Sequence, residues 1–303
     1  MIAIAGGTGR LGRLVAADLA SRGERVRVLT RDPSRVPAEL GDRVEVVRAD
    51  VRDAASLKVA LRGASTVISA ITGFGGPDAG GANAVDRDGN VALVAAASNQ
   101  GVRRFVLLSV LGAAADSPVA LFRAKHAAEE ALLATTIEPA IVRPTAYVET
   151  WLEIVGRPLA DTGSTRVFGR GRNPVNFVSA DDVAAIVVAL ATGPAPSNPA
   201  VTLAGPEDLT LDELAACAAR AIGVEPRIEH TPPAMMRLLA TVLGPVRPVF
   251  ADQLRAALLM DGADMRASAA DRRSRFPLAP VTTADAVAAR LFTSRSSAAV
   301  AGI

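Results

Sequence analysis

A short apolar run at the start of the chain leads directly into three evenly spaced glycines. The run Ile2–Ala5 predicts a buried strand, and a helical pattern begins after Gly6, Gly9 and Gly12. Glycine permits the tight turn, the close backbone approach and the close helix packing that this order requires. The free N–H groups at the start of the following helix favour an anion. A strand, a glycine turn and a helix in this order predict a site for a dinucleotide pyrophosphate.

The first half of the chain alternates strand-like and helical runs. Strands are predicted at residues 2–5, 25–30, 44–48, 66–70, 104–109 and 140–143. Helical patterns lie between them at residues 11–21, 54–62, 84–99 and 119–134. Apolar strands separated by helices indicate a parallel sheet covered on both faces. The predicted fold class is α/β, a doubly wound parallel sheet of the Rossmann type with ligands at the carboxyl ends of its strands.

The pattern changes after Pro144. Helical patterns dominate from there on, at residues 180–191, 211–221, 233–243 and 250–260, with one strand-like run at 200–204. We therefore predict a Rossmann domain over residues 1–150 and a smaller, mostly helical substrate-binding lobe over residues 151–292, parts of which return to the first domain. The Ser- and Ala-rich tail, residues 293–303, is predicted to be disordered.

Composition argues against several classes of function. A net charge of +2 is too small to indicate a nucleic-acid or membrane partner. Cys217 is the only cysteine, and His126 and His230 are the only histidines, so we expect neither a disulfide nor a metal site. The chain begins at its nucleotide motif and has no apolar run of about 18 residues. These features predict a cytoplasmic protein, a monomer or homodimer, that acts on a small molecule.

The end of the second predicted strand bears on the choice of nicotinamide cofactor. In an NAD-preferring site a carboxylate here holds the ribose 2′-hydroxyl, whereas Arg31 follows this strand directly. A guanidinium suits a 2′-phosphate, and Arg10 and Arg35 are further candidates for the same phosphate. Asp32 is the opposing signal, because it can turn inward to the hydroxyl of NAD. We predict NADP(H) in preference to NAD(H); the alternative is that these arginines only line a solvated loop.

Asp50 and Val51 follow the third predicted strand. A carboxylate at this edge of the sheet can accept from the adenine amino group while the valine packs on the ring. The competing interpretation is that Asp50 is an ordinary helix cap before Ala54.

Motifs along most of the chain resemble those of one superfamily. They are Gly-Gly-Thr-Gly-Arg-Leu-Gly at residues 6–12, Thr-Arg-Asp-Pro-Ser at 30–34, Asp50-Val51, Ser109, Lys125 with Glu129, Arg-Pro-Thr at 143–145, and the segments 176–184 and 203–207. On these residues the chain resembles the short-chain dehydrogenase/reductases, and within them the atypical, NmrA-like branch. The resemblance implies a nicotinamide cofactor and a catalytic group of serine, tyrosine and lysine, with the last two spaced Tyr-x-x-x-Lys.

The tyrosine that this resemblance implies is missing. Lys125 matches the lysine and Ser109 the serine, but Leu121 stands where the tyrosine belongs. Residues four apart share a helix face, where the lysine can lower the pKa of the phenol and hold the nicotinamide ribose. Leucine cannot donate a proton. The candidate donors are therefore Tyr147, the only tyrosine of the chain, Lys125 itself, water or a substrate hydroxyl.

The predicted function is an NADPH-dependent reduction of a small apolar molecule. Hydride would pass to a carbonyl, of a ketone or quinone, or to an activated double bond, without the usual tyrosine. Related atypical members, including the isoflavone-reductase-like group, resemble this chain in relying on lysine without that tyrosine. The alternative is a non-catalytic NADP(H)-binding sensor or regulator of the NmrA-like type, and a third interpretation makes Lys125 a ribose anchor only.

The predicted site combines cofactor, catalytic and substrate residues. The glycine-rich segment at residues 73–81 is interpreted as a mobile lid over the cofactor or as a merely disordered loop. The predicted substrate contacts are Phe74, Tyr147 and Trp151, and the catalytic residues are Lys125, Ser109 and Tyr147. The predicted cofactor contacts are Gly6, Thr8, Gly9, Arg10, Leu11, Gly12, Arg31, Arg35, Asp50, Val51, Ala70, Ile71, Lys125, Pro144 and Thr145.

Overall fold

The computed structural model describes residues 1–73, 81–267 and 281–300, with the side chains of 294–300 excepted. The chain begins with β1 (Ile2–Ala5), α1 (Arg10–Ser21), β2 (Val26–Thr30), β3 (Val44–Arg48), α2 (Ala54–Ala60) and β4 (Thr66–Ser69). A π-helical turn (Asn83–Arg87) leads into α3 (Asp88–Asn99), β5 (Arg104–Leu108), α4 (Ala120–Leu133) and β6 (Glu138–Pro144). Next come β7 (Ala146–Tyr147), α5 (Val148–Thr162), β8 (Ser164–Phe168), β9 (Val175–Val178), α6 (Ala180–Thr192) and β10 (Ala200–Leu203). The last elements are β11 (Glu207–Leu209), α7 (Leu211–Ile222), β12 (Arg227–Thr231), α8 (Pro233–Leu243), α9 (Pro248–Gly262) and α10 (Ala284–Val300).

A seven-stranded sheet forms the centre of the N-terminal part of the chain. Its strand order is β10-β6-β5-β4-β1-β2-β3. The pairings of β1 with β2 and β4, of β2 with β3, and of β5 with β4 and β6 are parallel. Every residue of β1, β2, β4 and β5 is buried, as helices on both faces of a sheet require. The predicted doubly wound sheet is confirmed, and its strand order reverses between β1 and β4, where such sheets bind ligands.

Contacts within the chain divide it into two units. The first unit comprises Met1–Pro144 and Val183–Thr202, and the second comprises Thr145–Asp182 and Leu203–Ile303. The first break thus falls at the end of β6, six residues before the predicted boundary at residue 150. The segment that returns to the first unit carries most of α6, whose carboxyl end is bound by a side chain of the sheet: Arg104 donates to the carbonyl oxygens of Leu190 and Gly193.

The second unit contains more strand than the sequence predicts. Strand β9 pairs antiparallel with β11 and parallel with β7, while β8 pairs parallel with β12. These strands span only two to five residues, too few for a clear alternation of apolar and polar positions. Helix α5 is also missing from the sequence prediction, because Pro158 lies inside it and proline is the strongest helix breaker. Helices still make up most of this unit, and none in the described part of the chain is long and apolar enough to cross a bilayer.

The end of the chain differs from its prediction. Disorder is predicted from residue 293, but the helical backbone of α10 continues to Val300. Ala284, Val287 and Phe292 anchor the start of this helix in the core of the second unit. An anchored helix extends readily, because each further residue adds a backbone hydrogen bond without a new nucleation step. Residues 301–303 lie outside the described residues.

We expect Arg104→Met to lower the free energy of unfolding by about 3 kcal/mol. Arg104 is buried and lies 2.6 Å from Glu138, 2.9 Å from the Leu190 oxygen and 2.6 Å from the Gly193 oxygen. Methionine fills similar space but leaves these acceptors without a charged donor. Denaturant unfolding followed by circular dichroism measures the loss. The exposed neighbour provides a matched control, since Arg103→Met should cost less than about 0.5 kcal/mol; equal losses in the two variants would contradict this role.

Candidate functional site

The glycine turn joins β1 to α1 at the carboxyl end of the sheet. Gly6 has a φ of +81°, and a Cβ on it would lie 2.6 Å from the carbonyl oxygen of Ala70. The carbonyl oxygen of Gly6 accepts from the Gly9 N–H at 3.0 Å, which closes the turn. A Cβ on Gly12 would overlap this same oxygen. Larger residues therefore cannot reproduce the turn, and α1 begins in close contact with it.

The start of α1 fits an anion. Its cap residue is Gly9, which makes no side-chain cap hydrogen bond, and the first turn contains no acidic residue. The first N–H groups of a helix have no partner within the helix, and the helix dipole adds partial positive charge there. A phosphate is a suitable partner for such a helix start.

A cavity of about 380 Å³ opens beside this turn within the first unit. It is lined by Ala5, Gly6, Thr8, Gly9, Leu29, Thr30, Arg31, Asp32, Arg35, Ala49, Asp50, Val51, Arg52, Leu57, Ala70, Ile71, Thr72 and Val85. Nine predicted cofactor residues come together on its wall: Gly6, Thr8, Gly9, Arg31, Arg35, Asp50, Val51, Ala70 and Ile71. Six others do not line it, namely Arg10, Leu11, Gly12, Lys125, Pro144 and Thr145. The volume is typical of a small-ligand pocket.

Arg31 and Asp32 place opposite charges on the cavity wall after β2. Asp32 accepts from the Ser34 hydroxyl at 2.7 Å and from the Ser34 N–H at 3.0 Å, and these hydrogen bonds lower the pKa of Asp32. Its carboxylate thereby caps the short 3₁₀ helix Pro33–Arg35. Arg31 and Arg35 make no ion pair within the described residues. Both hydrogen bonds go to Oδ1 of Asp32, and Arg31 and Arg35 are the cations of this wall.

Asp50, at the end of β3, forms a bidentate ion pair with Arg52. The pair has one distance of 2.6 Å from Nη2 to Oδ2 and one of 2.9 Å from Nε to Oδ1. These contacts lower the pKa of Asp50. Asp50 does not cap the next helix, because Asp53 caps α2 by accepting from the Ala55 N–H at 3.0 Å. The competing interpretation of Asp50 is therefore wrong, and its carboxylate stays on the cavity wall.

Lys125 lies on the buried face of α4 and binds two acceptors. Its Nζ is 3.0 Å from Oδ1 of Asp86 and donates at 3.0 Å to the carbonyl oxygen of Ile71. The other oxygen of Asp86 accepts from the Gly73 N–H at 2.8 Å. A lysine ammonium has three donors, and among the described residues only the contact with Ile71 has hydrogen-bond geometry, so at least one N–H is left for a ligand. Because Ile71 also lines the cavity, Lys125 is attached to the wall of the predicted cofactor site.

Asp86 is a site residue that the sequence analysis misses. Asp86 and Asn90 stand on the same face of the helical segment as Leu93 and Ala97, and all four are fully buried. Buried polar groups require partners. The side chain of Asn90 donates to the carbonyl oxygen of Asp86 at 2.8 Å and accepts from the Ser69 hydroxyl at 2.5 Å. Two polar residues on an otherwise apolar face were the signal available in the sequence.

The other predicted catalytic residues are divided between the units. Ser109, directly after β5 in the first unit, is buried, and its hydroxyl has no hydrogen-bond partner among the described residues. Such a hydroxyl is costly unless a ligand or water binds it. Leu121, in the tyrosine position, is half-buried on α4. Tyr147 belongs to the second unit, where desolvation and the carboxylate of Glu149 raise the pKa of its phenol. The phenol is thereby a weaker proton donor.

The remaining predicted contacts have other neighbours or lie outside the described residues. Thr145 is buried, and its hydroxyl donates to Oδ1 of Asn176 at 2.9 Å. Trp151 is half-buried and packs against the core of the second unit. Phe74, with the rest of segment 74–80, lies outside the described residues. The roles of Thr145, Trp151 and Phe74 toward cofactor or substrate stay predictions.

Comparison with known proteins shows the family. A family model described as NAD(P)H-binding matches residues 6–194, which includes the glycine turn, Lys125 and every lining residue of the cavity except Ala5. The chain belongs to this NAD(P)H-binding family. The resemblance to the atypical, NmrA-like short-chain dehydrogenase/reductases is confirmed.

Two relatives and one solved structure illustrate the proteins to which this chain is similar. The (4-alkanoyl-5-oxo-2,5-dihydrofuran-3-yl)methyl phosphate reductase of Streptomyces griseus is 34% identical over 233 residues, which make up 76% of this chain and 77% of that protein. The mitochondrial NADH dehydrogenase (ubiquinone) 1 alpha subcomplex subunit 9 of Arabidopsis thaliana is 34% identical over 69% of this chain, but only 55% of its own length is covered. The crystal structure of Escherichia coli NADPH-dependent quinone oxidoreductase QOR2 with NADPH has a TM-score of 0.76 at 22% identity, and covers 96% of this chain and 100% of its own. This last likeness shows the fold alone.

Gly12→Ala is expected to weaken NADPH binding by more than about tenfold. The added methyl group would overlap the Gly6 carbonyl oxygen and push α1 away from the turn. Fluorescence titration with NADPH measures the dissociation constant, and circular dichroism establishes that the variant is folded. Gly262→Ala is the matched control, since a Cβ there meets open space. A folded Gly12→Ala protein that binds NADPH as tightly as the control would refute the steric argument.

Proposed function

We propose that the protein is an NADPH-dependent oxidoreductase of the atypical short-chain type. Its acceptor is a ketone or quinone carbonyl, or an activated double bond, in a small apolar molecule. The observation that carries the proposal is Lys125, which binds the carbonyl oxygen of a residue on the cofactor cavity wall and keeps one N–H for a ligand. Membership of the NAD(P)H-binding family and the reductase name of the Streptomyces griseus relative support the same reaction class.

The first unit fits a nicotinamide dinucleotide. The turn at Gly6 is closed by the Gly9 N–H, and a Cβ at Gly6 or Gly12 would clash with backbone atoms. The turn is therefore bare of side chains at the place proposed for the pyrophosphate. The first turn of α1 has no acidic residue to compete for its N–H groups. A bound NADPH supplies the hydride. The residues proposed to hold NADPH are those of the chain itself. The start of α1 would face the phosphates, and Val51 and Asp50 lie on the wall proposed for adenine.

The charges after β2 support NADP(H) over NAD(H). A 2′-phosphate requires cations, and Arg31 and Arg35 both line the cavity. The carboxylate that would favour a ribose hydroxyl belongs to Asp32, whose Oδ1 accepts both hydrogen bonds from Ser34. Arg10, at the first position of α1, does not line this cavity, so the proposed phosphate clamp consists of Arg31 and Arg35.

Lys125 is the group proposed to serve the acceptor. Hydride addition to a carbonyl or to a conjugated double bond places negative charge on the acceptor oxygen. An ammonium N–H can stabilise this charge and can supply the proton that completes the reduction. Leu121 has no proton to give, and the raised pKa of Tyr147 makes its phenol a poor donor.

The chemistry of the acceptor is suggested by the relative whose substrate is named. The phosphate ester reduced by the Streptomyces griseus protein carries an oxo-dihydrofuran ring with an alkanoyl group. In a 2,5-dihydrofuran the ring double bond is conjugated with such carbonyl groups, so it accepts hydride as an activated double bond. Enones and quinones share this chemistry and are the first acceptors to test.

Non-catalytic NADP(H) binding is the second candidate function. Leu121 in the tyrosine position favours it, as does the relative named as a subunit of the mitochondrial NADH dehydrogenase. A binding protein of this kind would retain NADPH affinity and oxidise no NADPH with any enone or quinone. NADPH oxidation, followed by the absorbance at 340 nm with a panel of these acceptors, separates the two functions.

Arg31→Asp is expected to weaken NADPH binding by about tenfold to a hundredfold while it changes NADH binding little. The substitution replaces a phosphate ligand with a repelling carboxylate. Parallel fluorescence titrations with NADPH and NADH measure the change. Arg43→Asp makes the same charge change at an exposed position that does not line the cavity, and it corrects for long-range electrostatics. Unchanged NADPH affinity in Arg31→Asp would rule out the clamp.

Lys125→Met is expected to lower kcat for the best enone or quinone by about a hundredfold or more. The methionine keeps the apolar stem but has no proton and no charge to offer the acceptor. Steady-state oxidation of NADPH at saturating cofactor measures the effect. The matched control is Lys58→Met, since Lys58 is exposed on α2. Equal turnover in wild type and Lys125→Met would show that the lysine has no part in the reaction.

A further inference from the structure

We infer that Asp86 is a positioning residue, whose carboxylate holds the Lys125 ammonium at the nicotinamide end of the cofactor site. The inference rests on the proposed function, because it concerns the residue that we propose to serve the acceptor. It adds a residue outside the expected serine, tyrosine and lysine group.

The carboxylate of Asp86 is anchored at both oxygens. Oδ1 lies 3.0 Å from the Lys125 Nζ, and Oδ2 accepts from the Gly73 N–H at 2.8 Å. Gly73 lies two residues after Ile71, whose carbonyl oxygen is the second acceptor for the same ammonium. The segment after β4 and the side chain of Asp86 thus hold Lys125 from two directions.

The backbone around Asp86 is held as well. Asp86 lies in the π-helical turn Asn83–Arg87, and such turns are frequent at functional sites. Its carbonyl oxygen accepts from the side chain of Asn90, which in turn accepts from the Ser69 hydroxyl at the end of β4. A chain of two hydrogen bonds therefore connects the end of β4 to the backbone of Asp86, whose carboxylate faces Lys125.

Stability alone does not account for this ion pair. The side chains of Lys125 and Asp86 are only 6% and 0% exposed, whereas Arg143, the partner of the buried Glu129, is 33% exposed. Removing both charges of a pair from water costs as much as the attraction returns, and an apolar pair of similar size is commonly as stable. Two buried charges beside a ligand cavity are instead typical of a site where one of them must meet a ligand at a fixed position.

The experiment is a double-mutant cycle on Asp86→Asn and Lys125→Met. Asp86→Asn keeps the size and the acceptor for Gly73 but removes the charge opposite the ammonium. With NADPH and the best acceptor, we expect kcat to fall by about tenfold or more and KM for the acceptor to stay within about twofold. In the Lys125→Met background, Asp86→Asn should change kcat by less than about twofold, because its effect acts through the lysine. Asp86→Glu, which keeps the charge, should recover part of the loss.

Glu129→Gln is the matched control. Glu129 is a buried carboxylate on α4 whose oxygens pair with Arg143 and form no ion pair with Lys125 within the described residues. It should leave kcat within about twofold of wild type even if it lowers the melting temperature. The inference is overturned if Asp86→Asn lowers kcat by the same factor with and without Lys125, or if folded Asp86→Asn has wild-type turnover. If Asp86→Asn does not fold, the same cycle with Asp86→Glu decides, because that substitution still displaces the carboxylate.

A spectroscopic measurement separates failure of this inference from failure of the proposed function. Lys58 is the only other lysine of the chain and is exposed, so ¹³Cε-lysine labelling gives one buried signal and one reference. In wild type, NADPH should shift the signal of Lys125 and not that of Lys58, and Asp86→Asn should abolish that shift. If the protein turns over no acceptor but shows this pattern, the proposed function is refuted and the inference about Asp86 is supported. An unchanged NADPH-induced shift in Asp86→Asn overturns the inference whether or not the protein is active.

Discussion

The close approach of α1 to the carbonyl oxygen of Gly6 is the constraint on which the nucleotide site depends. Any side chain at Gly12 would overlap that oxygen, and a side chain at Gly6 would meet the carbonyl group of Ala70 after β4. The start of the helix, the turn and the neighbouring strand end are therefore pressed into one small region. The partial positive charge at the helix N-terminus therefore lies beside the cavity and is held there by backbone packing rather than by flexible side chains.

The first unit could largely be predicted from the sequence, because its buried apolar strands alternate with helices and the glycine spacing has a steric cause. The second unit could not, since its strands are as short as Ala146–Tyr147 and Pro158 lies inside a helix. At the site, strand-end residues such as Arg31 and Asp50 were accessible from their order in the chain. Asp86 was not predicted, because its importance depends on a side chain nearly forty positions away on another helix, and such pairings are set by tertiary packing.

Two halves of the site differ in how their charges are held. On the wall after β2 and β3, the arginines are exposed and each acid is engaged by a residue two positions away, Ser34 or Arg52. At Lys125 the charges are buried and joined by contacts between distant segments. Salt screens the first kind of interaction and affects the second much less. Nucleotide selection should thus vary with ionic strength, while the geometry around the lysine stays constant.

The first unit is discontinuous, and this limits how the chain can be cut. Residues 145–182 leave the sheet after β6, and the chain returns to supply α6 and the edge strand β10. A fragment that stops at Pro144 would lack both, so β6 would become an open edge with unpaired backbone groups, a template for association with other chains. The guanidinium of Arg104 would also lose the helix end that it binds. The minimal nucleotide-binding fragment of this protein is therefore not its N-terminal half but a chain that runs at least to residue 202.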